Sequence, residues 1–114
     1  MSGDLNDVQR RVREILVPGG EPLGEPGRSR TGTIRILPEG LAAAQHLFEL
    51  LAPLGEAEER SGYRGPFISL ESVNPTKPSG VGLRRQSRSG EPTLDVTIDY
   101  VPEITKIKFP PEIS

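Results

Sequence analysis

Apolar positions in the first half of the chain follow a helical period, and those in the second half follow a strand period. Leu5, Val8, Val12, Ile15 and Leu16 recur at helical spacing, with Arg10, Arg11, Arg13 and Glu14 between them. That spacing predicts a short helix over 5–16, capped by Asp4 and ended before Pro18. Residues 18–30 read PGGEPLGEPGRSR, a run of breakers without periodicity, and are expected to form a linker. A β-branched run at 33–37 predicts a strand. Pro38 then suits the first turn of a helix, where its missing N–H would lack a partner in any case. Leu41, Ala44, Leu47, Phe48, Leu51 and Leu54 form one broad apolar stripe, so this helix should cover 39–52 and stop near Pro53 and Gly55.

Beyond a charged loop at 56–62 the pattern changes. Phe67, Ile68 and Leu70 supply the apolar content of a strand within 66–73, followed by the turn sequence NPTKPSG and a strand over 81–85. A Ser/Gly turn at 87–92 leads into clear alternation. Leu94, Val96, Ile98 and Tyr100 fall on one face, and Thr93, Asp95, Thr97 and Asp99 on the other. Residues 104–109 alternate again, so that Lys106 and Lys108 share a face. The expected fold is α+β. A short N-terminal helix (1–17) and a Pro/Gly-rich linker (18–30) precede a compact α+β domain (31–114). In that domain one main helix packs on a mostly antiparallel four- to five-stranded sheet.

A chain of 114 residues suits one domain with its own core. With no Trp, two Tyr and three Phe, that core must be aliphatic. The absence of Cys excludes disulfides, thiolate metal sites and a cysteine nucleophile. It fits a reducing compartment, and equally a domain unfolded for delivery across a membrane. The single His makes a zinc site dependent on carboxylates, and no metal site is expected. His46 lies off the apolar stripe of its helix, near Gln45 and Glu49, and reads as a solvated helix-face residue. The signatures GxxxxGK[ST], HExxH and GxSxG are absent. No apolar run is long enough to span a membrane, and the first sixteen residues lack the apolar centre of a signal peptide.

The net charge of −2 argues against general polyanion binding, but the charge is unevenly divided. Residues 1–72 hold eight Lys/Arg against eleven Asp/Glu, whereas residues 73–108 hold six against four. Within the basic half, Arg84, Arg85, Ser87, Arg88 and Ser89 put three guanidiniums and two hydroxyls in or beside one turn. Guanidinium forks and turn hydroxyls suit phosphate oxygens, although a solvated basic hairpin tip has the same composition. Thr93 and Asp95 would face them from the neighbouring strand, and Lys106 or Lys108 from the last one, if the strands are adjacent.

Four short motifs carry a resemblance. They are Gly82-Leu83-Arg84, Ser87-Arg88-Ser89-Gly90, Pro92-Thr93-Leu94-Asp95 and Lys106-Ile107-Lys108-Phe109, with Tyr63-Arg64-Gly65 upstream carrying Arg where the pattern has Pro. Together they resemble the C-terminal toxin domains of bacterial polymorphic toxin systems, found on RHS-repeat, contact-dependent-inhibition and WXG-type secreted proteins. The resemblance is specific over about thirty residues and extends in layout over 33–109. It implies a fold similar to the barnase, EndoU, colicin and RelE-like ribonucleases, with no cofactor. It also implies secretion or delivery into a target cell, RNA (tRNA among the candidates) as substrate, and a cognate immunity protein as partner. On that basis the expected catalytic residues are Arg84, Ser87, Thr93, Asp95 and Lys106, and the expected substrate-binding residues are Tyr63, Arg85, Arg88, Ser89 and Lys108. No histidine matches a catalytic position. Two other readings stay open: a non-enzymatic protein-binding or immunity module, and a toxin domain with non-nuclease chemistry. The lack of a His/Cys zinc set argues against the zinc deaminases.

Overall fold

Asn6 starts the first helix. Its side chain accepts from the Gln9 N–H at 2.8 Å, and the Gln9 side chain accepts from the Asn6 N–H at 3.0 Å. This reciprocal pair satisfies two of the amides that a helix start leaves open, and α1 runs from there as Asp7–Leu16. The cap is Asn6; Asp4 lies outside the residues described by this computed structural model, which are 5–27, 30–85 and 90–111. Val12 and Leu16 are fully buried, while Val8, expected on the same stripe, is 40% exposed. Arg13 forks onto both carboxylate oxygens of Glu103 and donates to the Tyr100 carbonyl at 3.1 Å, which ties α1 to the chain entering the last strand.

The stretch expected to be a linker is partly ordered into the fold. Pro18–Gly20 forms a 3-10 turn, and β1 (Glu25–Pro26) pairs antiparallel with β2 (Ile34–Ile36). Arg35 of β2 is the reason. Its guanidinium donates to the carbonyls of Leu23 at 3.0 Å and Gly24 at 2.8 Å, with longer bonds to Pro22 and Gly32. Four carbonyls thus converge on one side chain and hold the breaker-rich segment along the edge of the sheet.

α2 (Gly40–Leu51) buries Ala44, Leu47, Phe48 and Leu51, as its stripe predicts, and continues into a 3-10 turn at Ala52–Leu54. Then follow β3 (Glu56–Ala57), β4 (Phe67–Leu70), β5 (Ser79–Arg84), β6 (Thr93–Thr97) and β7 (Lys106–Lys108). The seven strands among the described residues form one sheet in the order β1-β2-β7-β6-β5-β4-β3, antiparallel at every junction except β2–β7. The α+β class is as expected. The strand count of four to five is corrected to seven among the described residues, because β1 and β3 have two residues each and cannot display an alternating pattern. The single main helix is corrected to two, because Val12, Leu16 and Val17 enter the same core as α2.

The pleat sorts the sheet into two faces. Ile68, Leu70, Val81, Leu83, Leu94, Val96 and Ile107 point into the core under the two helices. Burying such a set drives the fold at roughly 25 cal/mol per Å² of apolar surface removed from water. Their alternating neighbours form a second face without a helix. Among the described residues, no helix is long and apolar enough to cross a membrane.

Candidate functional site

Strand register assembles the second face. Gly82, Asp95 and Lys106 are direct partners across β5, β6 and β7, and so are Arg84, Thr93 and Lys108. The sequence-predicted residues on these three strands therefore do share one face.

Asp95 is at the centre. Arg84 approaches its carboxylate side-on, with Nε donating to Oδ2 at 2.7 Å and Nη2 to Oδ1 at 3.0 Å. The Tyr63 hydroxyl donates to the same Oδ2 at 2.8 Å. Arg84 and Asp95 are about a quarter exposed, so the pair is shielded without being sealed from solvent. A side-on pair uses one edge of the guanidinium and leaves the N–H groups of Nη1 and the outer Nη2 hydrogen available to a second anion. The hydrogen bond from Arg84 to Asp95 pushes the guanidinium pKa further up. Burial, reinforced by the bond to Asp95, pushes the Tyr63 phenol well above its ordinary value, so it remains a protonated donor.

Tyr63 comes from the loop before β4 and reaches Asp95 only because residue 82 is Gly. A Cβ there would stand 2.3 Å from the Tyr63 ring, and one at Gly80 would stand 2.6 Å from the Phe67 ring. The two aromatic rings lie against the bare backbone of β5 in place of side chains. They meet edge-on, with centroids 5.4 Å apart and an interplanar angle of 73°. Arg60 covers Phe67, its guanidinium carbon 4.0 Å from the ring centroid. Sequence reading missed Arg60 and this platform. The available signal was the pair of glycines at 80 and 82 inside a strand, which marks a close approach by another group.

The remaining residues are distributed as follows. Lys108 contacts Glu91, Nζ to Oε1 at 3.4 Å. Lys106 is half-buried and makes no ion pair among the described residues. Thr93 is fully buried, and its hydroxyl donates to the Glu91 carbonyl at 3.4 Å, so it does not reach the surface of this face. Arg85 is exposed just past β5. Ser87, Arg88 and Ser89 lie outside the described residues. His46 is exposed on α2, on the helical side of the sheet and remote from Asp95. Among the described residues, no group of three or more His, Asp or Glu side chains is arranged to hold a metal ion. From Asp95 a groove of about 560 Å³ extends past Thr97 and Lys106 toward Lys77.

Comparison with protein-family models, curated proteins and solved structures yields no match for this chain.

Proposed function

We propose that the helix-free face is the substrate surface of a metal-independent endoribonuclease, acting as a bacterial toxin domain delivered into target cells and restrained by an immunity protein. The observation that carries this reading is the grouping of Arg84, Asp95 and Lys106 on three adjacent strands, with the Tyr63 hydroxyl from the loop before β4 donating to Asp95. Asp95, held by three hydrogen bonds, orients Arg84. The outer edge of Arg84 binds the scissile phosphate and stabilises charge on its oxygens as the ribose 2′-OH attacks phosphorus. The P–O5′ bond breaks, leaving a 2′,3′-cyclic phosphate and a 5′-hydroxyl. Lys106 supplies the proton to the departing oxygen, and the 2′-hydroxyl proton passes to solvent. Lys108 and Arg85 assist in holding the backbone.

The test is incubation of the folded protein with total bacterial RNA, with and without EDTA, read on a denaturing gel. Discrete cleavage that survives EDTA is expected, with a loss of about 100-fold or more in Arg84→Ala, as for removal of an oxyanion donor elsewhere. Intact RNA from a folded sample would overturn this function. A second reading, a protein-binding or immunity module, draws support from Arg84 and Lys108 each already having an internal carboxylate partner. It predicts no cleavage under any of these conditions.

A further inference from the structure

On the helix-free face, positive charge without an ion-pair partner among the described residues continues beyond Arg84. Arg84 is paired with Asp95 and Lys108 with Glu91, whereas Lys106 and Lys77 have no ion-pair partner among the described residues. Both of these lysines line the groove of about 560 Å³ that begins at Asp95, with the exposed Thr97 between them. Asp99 lines it too, but its carboxylate accepts from the Val73 N–H at 3.0 Å and the Asn74 N–H at 2.7 Å. Those two amides and the backbone they belong to turn the carboxylate toward the loop.

The loop that carries Lys77 is tightly built. Asn74 Oδ1 accepts from the Thr76 N–H at 3.0 Å and from the Thr76 hydroxyl at 2.7 Å. The Lys77 N–H donates to the Asn74 carbonyl at 3.0 Å, and the Ser72 hydroxyl donates to the Lys77 carbonyl. A backbone fixed at both ends by hydrogen bonds presents its lysine from a defined point, which lowers the ordering cost of a contact.

We propose that this groove is a second phosphate subsite, in which Lys77 with Thr97 holds the single-stranded RNA that continues from the phosphate bound between Arg84 and Lys106. This rests on the ribonuclease reading above and extends it from one phosphate to a polynucleotide track. The chemistry fits. An ammonium group lining an open groove neutralises backbone phosphate without reading a base, and Thr97 adds a hydroxyl donor. β6 runs the length of the track, and Thr93–Thr97 alone covers about 13 Å at the usual rise of a strand.

The experiment measures anisotropy of fluorescent 2′-O-methyl oligonucleotides, which bind but cannot be cleaved. A hexanucleotide is compared with a dinucleotide across a salt series, using wild type, Lys77→Ala and Lys77→Arg. Lys77 is exposed on a loop, so circular dichroism should show both variants folded. For the hexanucleotide, Lys77→Ala should weaken binding several-fold and lower the slope of log affinity against log salt by about 0.7, the value for one phosphate contact on a single strand. Lys77→Arg should keep both, and dinucleotide affinity should move far less. Hexanucleotide affinity and slope unchanged in Lys77→Ala, or equal losses for both probes, would overturn the subsite while leaving the ribonuclease reading standing. No binding of either probe by the wild type, with no cleavage of natural RNA, would overturn both.

Discussion

At residue 82 the backbone is paired on both sides, to Phe67 of β4 and to Asp95 of β6, so it has no freedom to retreat from an added methyl group. With the Tyr63 ring 2.3 Å from where a Cβ would stand, Gly82→Ala must expel the ring. The expected cost is about 1–3 kcal/mol, the usual range for overpacking, together with loss of the Tyr63–Asp95 hydrogen bond. A urea titration checks it: the midpoint should fall in Gly82→Ala, and truncating Tyr63 in the same chain should recover part of the loss. An unchanged midpoint would mean that the ring does not lie on the strand. Residue-level legibility in the sequence follows the same physics. Period-two alternation is enough to put Asp95, Lys106 and Lys108 on common faces, and Arg84 follows from its strand. Tyr63 sits in an aperiodic loop, so nothing in its spacing reveals that its hydroxyl ends on Asp95. Thr93 belongs to the polar face by spacing but is covered, because neighbouring chain at Glu91 and Lys108 closes over it.

At the scale of elements, α1 is fastened to the chain ahead of β7 by Arg13 and Glu103. The Arg13 hydrogen bond holds the Glu103 carboxyl below its ordinary value of 4.5. A folded value depressed in this way contributes stability that is full above the unfolded value and is lost as pH falls through the folded one. Both side chains are about one-third exposed, so the contribution should not exceed about 1 kcal/mol. Stability measured by urea unfolding should thus drop in acid more for the wild type than for Glu103→Gln, whose acid limb should be flatter. Equal acid dependence in the two proteins would show that the pair does not couple α1 to the sheet. The long elements were legible because they repeat: α2 shows its stripe over several turns, and β6 alternates over its full length. The two edge strands were not. β1 owes its position to carbonyls gathered by Arg35, and β3 to pairing with β4; neither cause leaves a period in the sequence.

For the molecule as a whole, the parallel junction is decisive. β7 is the last strand among the described residues, yet it lies inside the sheet between β2 and β6. A chain ending before Ile104 would lose β7 and the Thr105–Thr33 bonds beside it, through which, among the described residues, β1 and β2 join the other strands. Amide exchange followed by NMR should then show lost protection at Leu37, whose N–H donates to the Lys108 carbonyl, and at Val96 of β6, whose N–H donates to the Thr105 carbonyl, and a synthetic peptide of residues 104–111 added in trans should restore it. Retained protection in the shortened chain would contradict the strand order. The overall charge concealed the candidate surface at this scale. A net value of −2 averages over an acidic first half, while the helix-free face gathers its lysines from a loop at Lys77 and a strand at Lys106, which only the folded chain brings to one groove.

The interior position of β7 also bears on the timing of synthesis. Translation delivers α1, α2 and β1 to β6 before β7, and closure must wait for residues near 34 and 106 to meet, a slow event by the ordinary rule for distant contacts. A message cut short before that point yields a polypeptide with Arg84 and Asp95 present but with no Lys106 and no joined sheet. Products cut before that point would accordingly lack the assembled face, and any longer one would acquire it only once β7 has been made.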